Sequence, residues 1–164
     1  MPEGPTSSVL SAFRPLAQMP MWSAGWAGDI TWFQFGKAVS RLDRHGNKRE
    51  VGEYALHVSC TWHWRSSSGF VRADYETADL RSLGELSARF READLAESGL
   101  LTFYFDNGDT LAIEPDESDD ESAEETEHWR FFNRAYKHHT LSLLTSGSNG
   151  MRPNMRLKLA GAHK

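Results

Sequence analysis

The sequence predicts an α+β domain in which an antiparallel sheet, formed by a meander and a β-hairpin, packs one face on one main amphipathic helix. Three patterns indicate this fold. Apolar and polar side chains alternate over residues 54–64, apolar residues recur at three- and four-residue steps over 80–90, and Asp-Asn-Gly-Asp at 106–109 separates two short apolar runs. These patterns are typical of a half-buried strand, an amphipathic helix and a hairpin turn, respectively.

The strands before the helix follow from local composition. Residues 7–14 predict a short, weak helix, and the aromatic run at 30–35 predicts a first strand that a glycine ends. Residues 38–42 predict a second strand, and 54–64 the third. After a serine-rich turn, residues 70–73 are expected to pair with the third strand as a meander.

The apolar stripe after the meander predicts the main helix, at residues 79–93. Asp79 stands where a side chain can cap the first turn. We expect this helix to lie on the sheet. The stripe consists of Leu80, Leu83, Leu86 and Phe90.

The register of the hairpin follows from its apolar faces. A two-residue loop would mix buried and exposed side chains, whereas a three-residue loop with Gly108 left-handed pairs Phe103 with Leu111 and Leu101 with Ile113. The second register puts all four apolar side chains on one face. The sequence therefore predicts the three-residue loop.

Length and composition fit a single domain with a tail. The chain has 164 residues, 39% of them hydrophobic and 12% aromatic, which is enough for one core. We expect residues 1–134 to form the domain and the basic residues 135–164 to be largely disordered. The first residues lack the features of a signal peptide and no apolar run is long enough to cross a bilayer, so we expect a cytoplasmic protein.

Charge is divided into blocks along the chain. The net charge is −5, yet residues 114–127 carry nine acids and no base, and residues 128–164 carry seven bases and no acid. Residues 115–126 have little apolar content and predict a flexible acidic loop. Such a loop either solvates the domain or binds a basic protein, and we take the second as the leading hypothesis. The predicted binding residues are Asp116, Glu117, Asp119, Asp120, Glu121, Glu124 and Glu125.

Catalytic and metal-binding chemistry has little support in the sequence. Cys60, the only cysteine, is excluded from a disulfide within one chain, and its parity on the strand is opposite to that of His57, so we expect a buried thiol. His57 and His63 share a strand face but lie about 20 Å apart at ~3.3 Å per residue, too far to bind one metal ion. Asp106 and Asp109 are explained by their hairpin turn.

Two other hypotheses remain open. One is a small enzyme or ligand-binding domain whose pocket is lined by His57, His63, Trp62 and Trp64, with no cofactor or metal. The other is an assembly role through a strand edge at residues 70–73. We expect no nucleic-acid or membrane partner.

Four segments in this order resemble a family of small uncharacterised bacterial proteins. They are Phe35-Gly36, residues 52–62, residues 101–108 with Leu111, and residues 127–131. The resemblance covers about residues 25–134, and His63 stands where the family usually has an arginine. It implies an immunity or accessory protein encoded near a toxin and implies no catalytic residue. Combined with the acidic run, it makes a non-enzymatic, immunity-type binding module the leading hypothesis.

Overall fold

A computed structural model describes residues 5–76, 79–115, 126–133, 139–146 and 154–160. Helix α1 is Pro5–Phe13, followed by a 3-10 turn at Arg14–Leu16, and helix α2 is Leu80–Glu85. The strands are β1 Met21–Ala27, β2 Ile30–Leu42, β3 Lys48–Val58, β4 Thr61–Arg65, β5 Val71–Asp74, β6 Phe90–Leu95, β7 Leu101–Phe105, β8 Thr110–Glu114, β9 Thr126–Asn133, β10 His139–Ser146 and β11 Asn154–Ala160.

The strands form two antiparallel sheets instead of the single sheet predicted. The first has the order β1-β2-β3-β9-β10-β11 and the second the order β5-β4-β8-β7-β6. Their inner faces meet in an aromatic core, in which the ring centroid of Phe33 lies 5.2 Å from that of Trp62. Phe35 and Phe103 face each other in the same way at 6.0 Å. The fold is α+β in the broad sense and consists mostly of strands.

The alternating segment 54–64 crosses from one sheet to the other. Its strand is interrupted at Ser59 and Cys60, so β3 belongs to the first sheet and β4 to the second. The alternation nevertheless continues through the break, because Leu56, Val58, Cys60 and both tryptophans are buried. One parity therefore faces the shared core on both sides of the crossing.

The first two predicted strands are one long strand, β2. The register with β3 shifts between Phe35 and Ala38, which marks a bulge. Gly36 adopts φ +77° there, a conformation that costs glycine little. The glycine bends the strand and does not end it.

The prediction of one main helix at 79–93 is wrong. Asp79 does cap a helix, accepting a hydrogen bond from the backbone N–H of Ser82, but α2 has only six residues. Ser87 then takes φ +46°, and Phe90 begins strand β6. Leu86 is 38% exposed, whereas Phe90 is buried from its strand position. The short helix α2 and the start of strand β6 together give the apolar spacing that is typical of one longer helix.

The hairpin register is confirmed. Phe103 lies opposite Leu111 and Leu101 opposite Ile113. Gly108 has φ +88° and donates a hydrogen bond to the carbonyl of Phe105. The predicted pairing of residues 70–73 with the preceding strand is also found, as β5 against β4.

One pair of sheet edges is joined and covered. The backbone N–H of Met21, at the start of β1, donates a hydrogen bond to the Ala88 carbonyl. The backbone N–H of Phe90, in β6, donates to the Met19 carbonyl, and both distances are 2.9 Å. Helix α2 packs on β1 so closely that a Cβ on Gly84 would lie 2.7 Å from the carbonyl oxygen of Trp22. The backbone groups at the β1 edge of the first sheet and the β6 edge of the second are thereby protected from pairing with other chains.

Two strands, β10 and β11, lie within residues 135–164, the tail for which we expect disorder. Strand β10 pairs with β9 and β11 pairs with β10. Residues 135–138, 147–153 and 161–164 of the predicted tail lie outside the described residues, as does residue 134 before it. Among the helices that the structure describes, none is long and apolar enough to cross a membrane.

Candidate functional site

The two ends of the acidic segment meet at the crossing between the sheets. At its first end, Glu114 lies opposite Thr61 in the ladder of β4 and β8. At its second end, the Ser59 hydroxyl donates to the Glu127 carbonyl at 2.7 Å, and the Ser59 backbone N–H donates to the His128 carbonyl at 2.9 Å. Both ends are therefore held by residues only two positions apart in the chain.

The glutamates at the two ends of the acidic segment have different surroundings. The Glu114 side chain is exposed. Glu127 accepts a hydrogen bond from Arg130 at 2.7 Å, and that guanidinium also lies 5.8 Å from the ring centroid of Phe132. Residues 116–125 lie outside the described residues, and with them all seven predicted binding residues: Asp116, Glu117, Asp119, Asp120, Glu121, Glu124 and Glu125.

The predicted histidine and tryptophan pocket is not assembled. Trp62 and Trp64 are buried in the core, where their indole N–H groups donate to the Thr31 hydroxyl at 3.1 Å and to the Asp109 carboxylate at 2.9 Å. His57 and His63 alternate with the buried residues, so they occupy the outer faces. Moreover, His57 belongs to the first sheet and His63 to the second.

Each histidine instead has neighbours on its own sheet. The His57 ring lies edge-on to Phe132, with centroids 4.7 Å apart. His63 lies between Asp74 and Ala112 in the register of the second sheet. Cys60 is 6% exposed, as expected for a buried thiol.

A buried ion pair is the feature that sequence reasoning missed. Asp109 follows the hairpin turn and is only 1% exposed. Besides the Trp64 indole, its carboxylate accepts a hydrogen bond from Arg72 Nε at 2.8 Å. The predicted turn role is therefore incomplete, because the Asp109 side chain joins β4, β5 and β8.

A bulge in β5 aims Arg72 at this carboxylate. Trp64 pairs with Ala73 and Arg65 with Val71, so Arg72 has no position of its own in the register. An extra residue of this kind disturbs the alternation of side chains. The Arg72 side chain consequently reaches Asp109 and keeps 31% of its surface exposed. The spacing of residues in the sequence does not predict this bulge.

Exposed apolar side chains lie at both ends of the same strand, and the Phe70 ring centroid is 5.1 Å from the Arg72 guanidinium. Strand β5 ends its sheet, and Phe70, Val71 and Tyr75 are 56%, 43% and 53% exposed. Phe70 and Val71 belong to the edge at residues 70–73 that the assembly hypothesis named, whereas Tyr75 lies beyond it.

Comparisons supply no relative from which a role could be transferred. Family models, curated proteins and solved structures all give no match to this chain. Within the described residues, no group of three or more histidine, cysteine, aspartate or glutamate side chains could hold a metal ion.

Proposed function

We propose that this chain is a non-enzymatic protein-binding module that presents its acidic segment, residues 114–127, to a basic partner protein. The observation that carries the proposal is the anchoring of both ends of the segment, at Ser59 and Thr61. A charged segment whose two ends are fixed by the sheets loses less conformational entropy on binding than a segment that is fixed at one end.

Electrostatics supports a basic partner. Nine carboxylates lie within fourteen residues, and the segment contains no base. Among the acids at the described ends, Glu127 is paired with Arg130, whereas Glu114 is exposed. Concentrated charge of one sign accelerates association with a partner of the other sign and makes binding sensitive to salt.

The proposal includes an immunity-type role, in which the basic partner is a toxin and binding blocks it. That part rests on the sequence resemblance. The alternative pocket hypothesis lacks comparable support, because its four side chains point to the core and to the outer faces of two different sheets.

The test is affinity capture by the immobilised full chain from a lysate of its source cells, followed by titration of the purified captured protein. We expect a basic protein whose affinity falls at least tenfold when salt rises from about 50 to about 500 mM, since screening shortens the range of the attraction. A variant with Asn and Gln in place of the seven predicted binding acids should lose capture.

The matched control removes the same charge elsewhere. It carries Asn or Gln at seven acids of the described strands, turns and helix α2 and should retain capture. Equal loss in both variants, or affinity that does not change with salt, contradicts the proposal. The control positions are Asp29, Glu50, Glu53, Glu85, Glu92, Asp94 and Glu97.

A further inference from the structure

Strands β2 and β3 extend beyond the first sheet as a two-stranded arm, residues 37–51, which we call the basic arm. Strand β1 pairs with β2 only as far as Phe35, and β9 pairs with β3 only from Tyr54 onward. Within the described residues, no third strand therefore accompanies the arm. Its side chains are exposed or half-buried on both faces, and Leu42 near the tip is 73% exposed. Because the arm has no core of its own, packing does not explain why these two strands are so long.

The arm is basic although the whole chain is acidic. It carries five bases and two acids, a net charge of +3 with His45 neutral, against −5 for the whole chain. Of the two acids, Asp43 accepts hydrogen bonds from backbone N–H groups of the turn and lies 3.4 Å from Arg49. A polyanion that binds an acidic chain must contact a local basic surface, and the arm provides one. The five bases are Lys37, Arg41, Arg44, Lys48 and Arg49.

Two arginines of the arm occupy an unfavourable pair of positions. Arg41 lies directly opposite Arg49 in the ladder of β2 and β3, so both side chains leave the same face of the arm. Like charges that are directly opposite destabilise a strand pair. Both residues are exposed, and 72% of the Arg49 side chain is accessible to solvent. A locally unfavourable pair of this kind is typical of a functional site, because an anion between the two guanidinium groups relieves their repulsion.

The basic arm and the anchors of the acidic segment lie at opposite ends of β3. The arm contains the first residues of β3, whereas Ser59 and Thr61, which hold the ends of the acidic segment, follow its last residue. From Lys48 to Val58 the strand spans roughly 30 Å at ~3.3 Å per residue, several times the Debye length of about 8 Å at physiological salt. The positive charge of the arm is therefore remote from those anchors.

We propose that the basic arm binds double-stranded DNA, entering the major groove so that its bases neutralise phosphates on the groove walls. The major groove of B-form DNA is about 12 Å wide and admits a two-stranded β-ribbon. The strands from Phe35 to the turn at Asp43 extend roughly 20 Å, which exceeds the groove depth of about 8.5 Å. The major groove of an RNA duplex is too deep and narrow for such contacts, so the ribbon favours DNA.

Phosphate contacts position a protein without reading sequence, so we expect little sequence preference. The expectation of no nucleic-acid partner, made from the sequence, does not take account of the arm. Only the limits of pairing with β1 and β9 show that these five bases project together from the sheet.

The experiment is a fluorescence anisotropy titration of a labelled DNA duplex of about 20 base pairs with the full chain, at salt concentrations from about 50 to about 200 mM. We expect binding whose affinity falls at least tenfold over this range, because bound cations are released from each neutralised phosphate. The double variant Arg41→Gln with Arg49→Gln should bind at least tenfold more weakly at the lowest salt concentration. Its slope of log affinity against log salt concentration should be smaller by about two, one for each lost contact.

The matched control is Arg81→Gln with Arg91→Gln, which removes the same charge from exposed positions of helix α2 and strand β6. It should keep the affinity and the slope of the unaltered chain. The Arg41 and Arg49 variant should keep the free energy of unfolding in urea, because both side chains are exposed. Weaker DNA binding with unchanged stability separates a binding role from a structural one.

Two further probes distinguish the class of polyanion. An RNA duplex of the same sequence and a polyglutamate of the same net charge should each bind about tenfold more weakly than the DNA duplex. Absence of DNA binding at the lowest salt concentration, equal affinity for either other probe, or equal weakening by the two double variants would overturn the proposal. The chain with a neutralised acidic segment should bind DNA at least as tightly, so this test and that of the proposed function fail independently.

Discussion

Two aspartates at hairpin turns, Asp43 and Asp109, have the same kinds of partner in opposite surroundings. Asp43 opens the turn between β2 and β3, accepts hydrogen bonds from the backbone N–H groups of His45 and Asn47, and lies 3.4 Å from Arg49. Asp109 closes the turn between β7 and β8 and is 2.8 Å from Arg72. The arginine side chain is 72% exposed in the first pair and 31% in the second.

The difference concerns what the carboxylate holds together. Asp43 binds groups of its own turn, so its contacts are local. Asp109 binds Trp64 and Arg72, which lie 45 and 37 residues away in the chain. Around it, the hairpin is packed so tightly that a Cβ on Gly108 would lie 2.7 Å from the Ser67 side chain.

From this comparison we expect that burial of the carboxylate decides how much an ion pair contributes to the free energy of unfolding. If the arginine is removed, water still reaches the Asp43 carboxylate, whose side chain is 16% exposed, whereas the Asp109 carboxylate at 1% has little access to water. The Asp109 pair is thus expected to specify how β5 joins the sheet, and the Asp43 pair only the shape of its own turn.

The largest effect should come from Arg72→Ala, which leaves the Asp109 carboxylate buried beside the Trp64 indole without the guanidinium that it is paired with. We expect the free energy of unfolding to fall by about 2–4 kcal/mol, below the full cost of an orphaned buried charge because Arg72 is partly exposed. Urea denaturation, monitored by circular dichroism, measures this change in the free energy of unfolding.

The matched control is Arg49→Ala in the exposed pair. Its stability should equal that of the unaltered chain within the error of the same measurement. If the two alanine variants lose equal stability, burial does not distinguish these pairs and the comparison fails.

A smaller effect separates the two tryptophans of β4. Both are fully buried and both donate an indole N–H, Trp64 to a carboxylate and Trp62 to the Thr31 hydroxyl. Hydrogen bonds to a charged acceptor are stronger, so Trp64→Phe should cost about 1 kcal/mol more than Trp62→Phe. Both variants remove the same atoms. Equal thermal and urea stability of the two would show that the Asp109 carboxylate adds nothing at Trp64.

The sequence predicts those parts of the fold that depend on neighbouring residues. The register of the 101–113 hairpin follows from four apolar side chains and one glycine, and all five behave as predicted. The alternation at 54–64 correctly identifies the buried parity. It does not reveal the change of sheet at Ser59, because a strand that crosses between two sheets keeps its inner face on the same core.

The parts that sequence reasoning missed depend on long-range contacts. Residues 79–93 have the apolar spacing of a helix, but the backbone leaves helical geometry at Ser87 and Phe90 pairs with Phe105. The Asp109 and Arg72 pair likewise requires a bulge whose position only the sheet determines. For the candidate site, the sequence identifies the acidic run, whereas the closeness of its two ends follows from the pairing of Thr61 and the hydrogen bond of Ser59.

The smallest predicted effect concerns the pH dependence of the exposed turn. The pKa of Asp43 is lowered from its ordinary value, chiefly by the hydrogen bond from the Asn47 backbone N–H, with further contributions from His45 and Arg49. Because the lowered pKa belongs to the folded turn, its stabilisation is present above the ordinary aspartate pKa and is lost as pH falls through the lowered one. NMR titration of the Asn47 amide should therefore show a lower midpoint in the folded chain than in a peptide of residues 40–51, and Asp43→Asn should abolish that transition. A midpoint equal to that of the peptide would show that the turn does not favour the charged carboxylate.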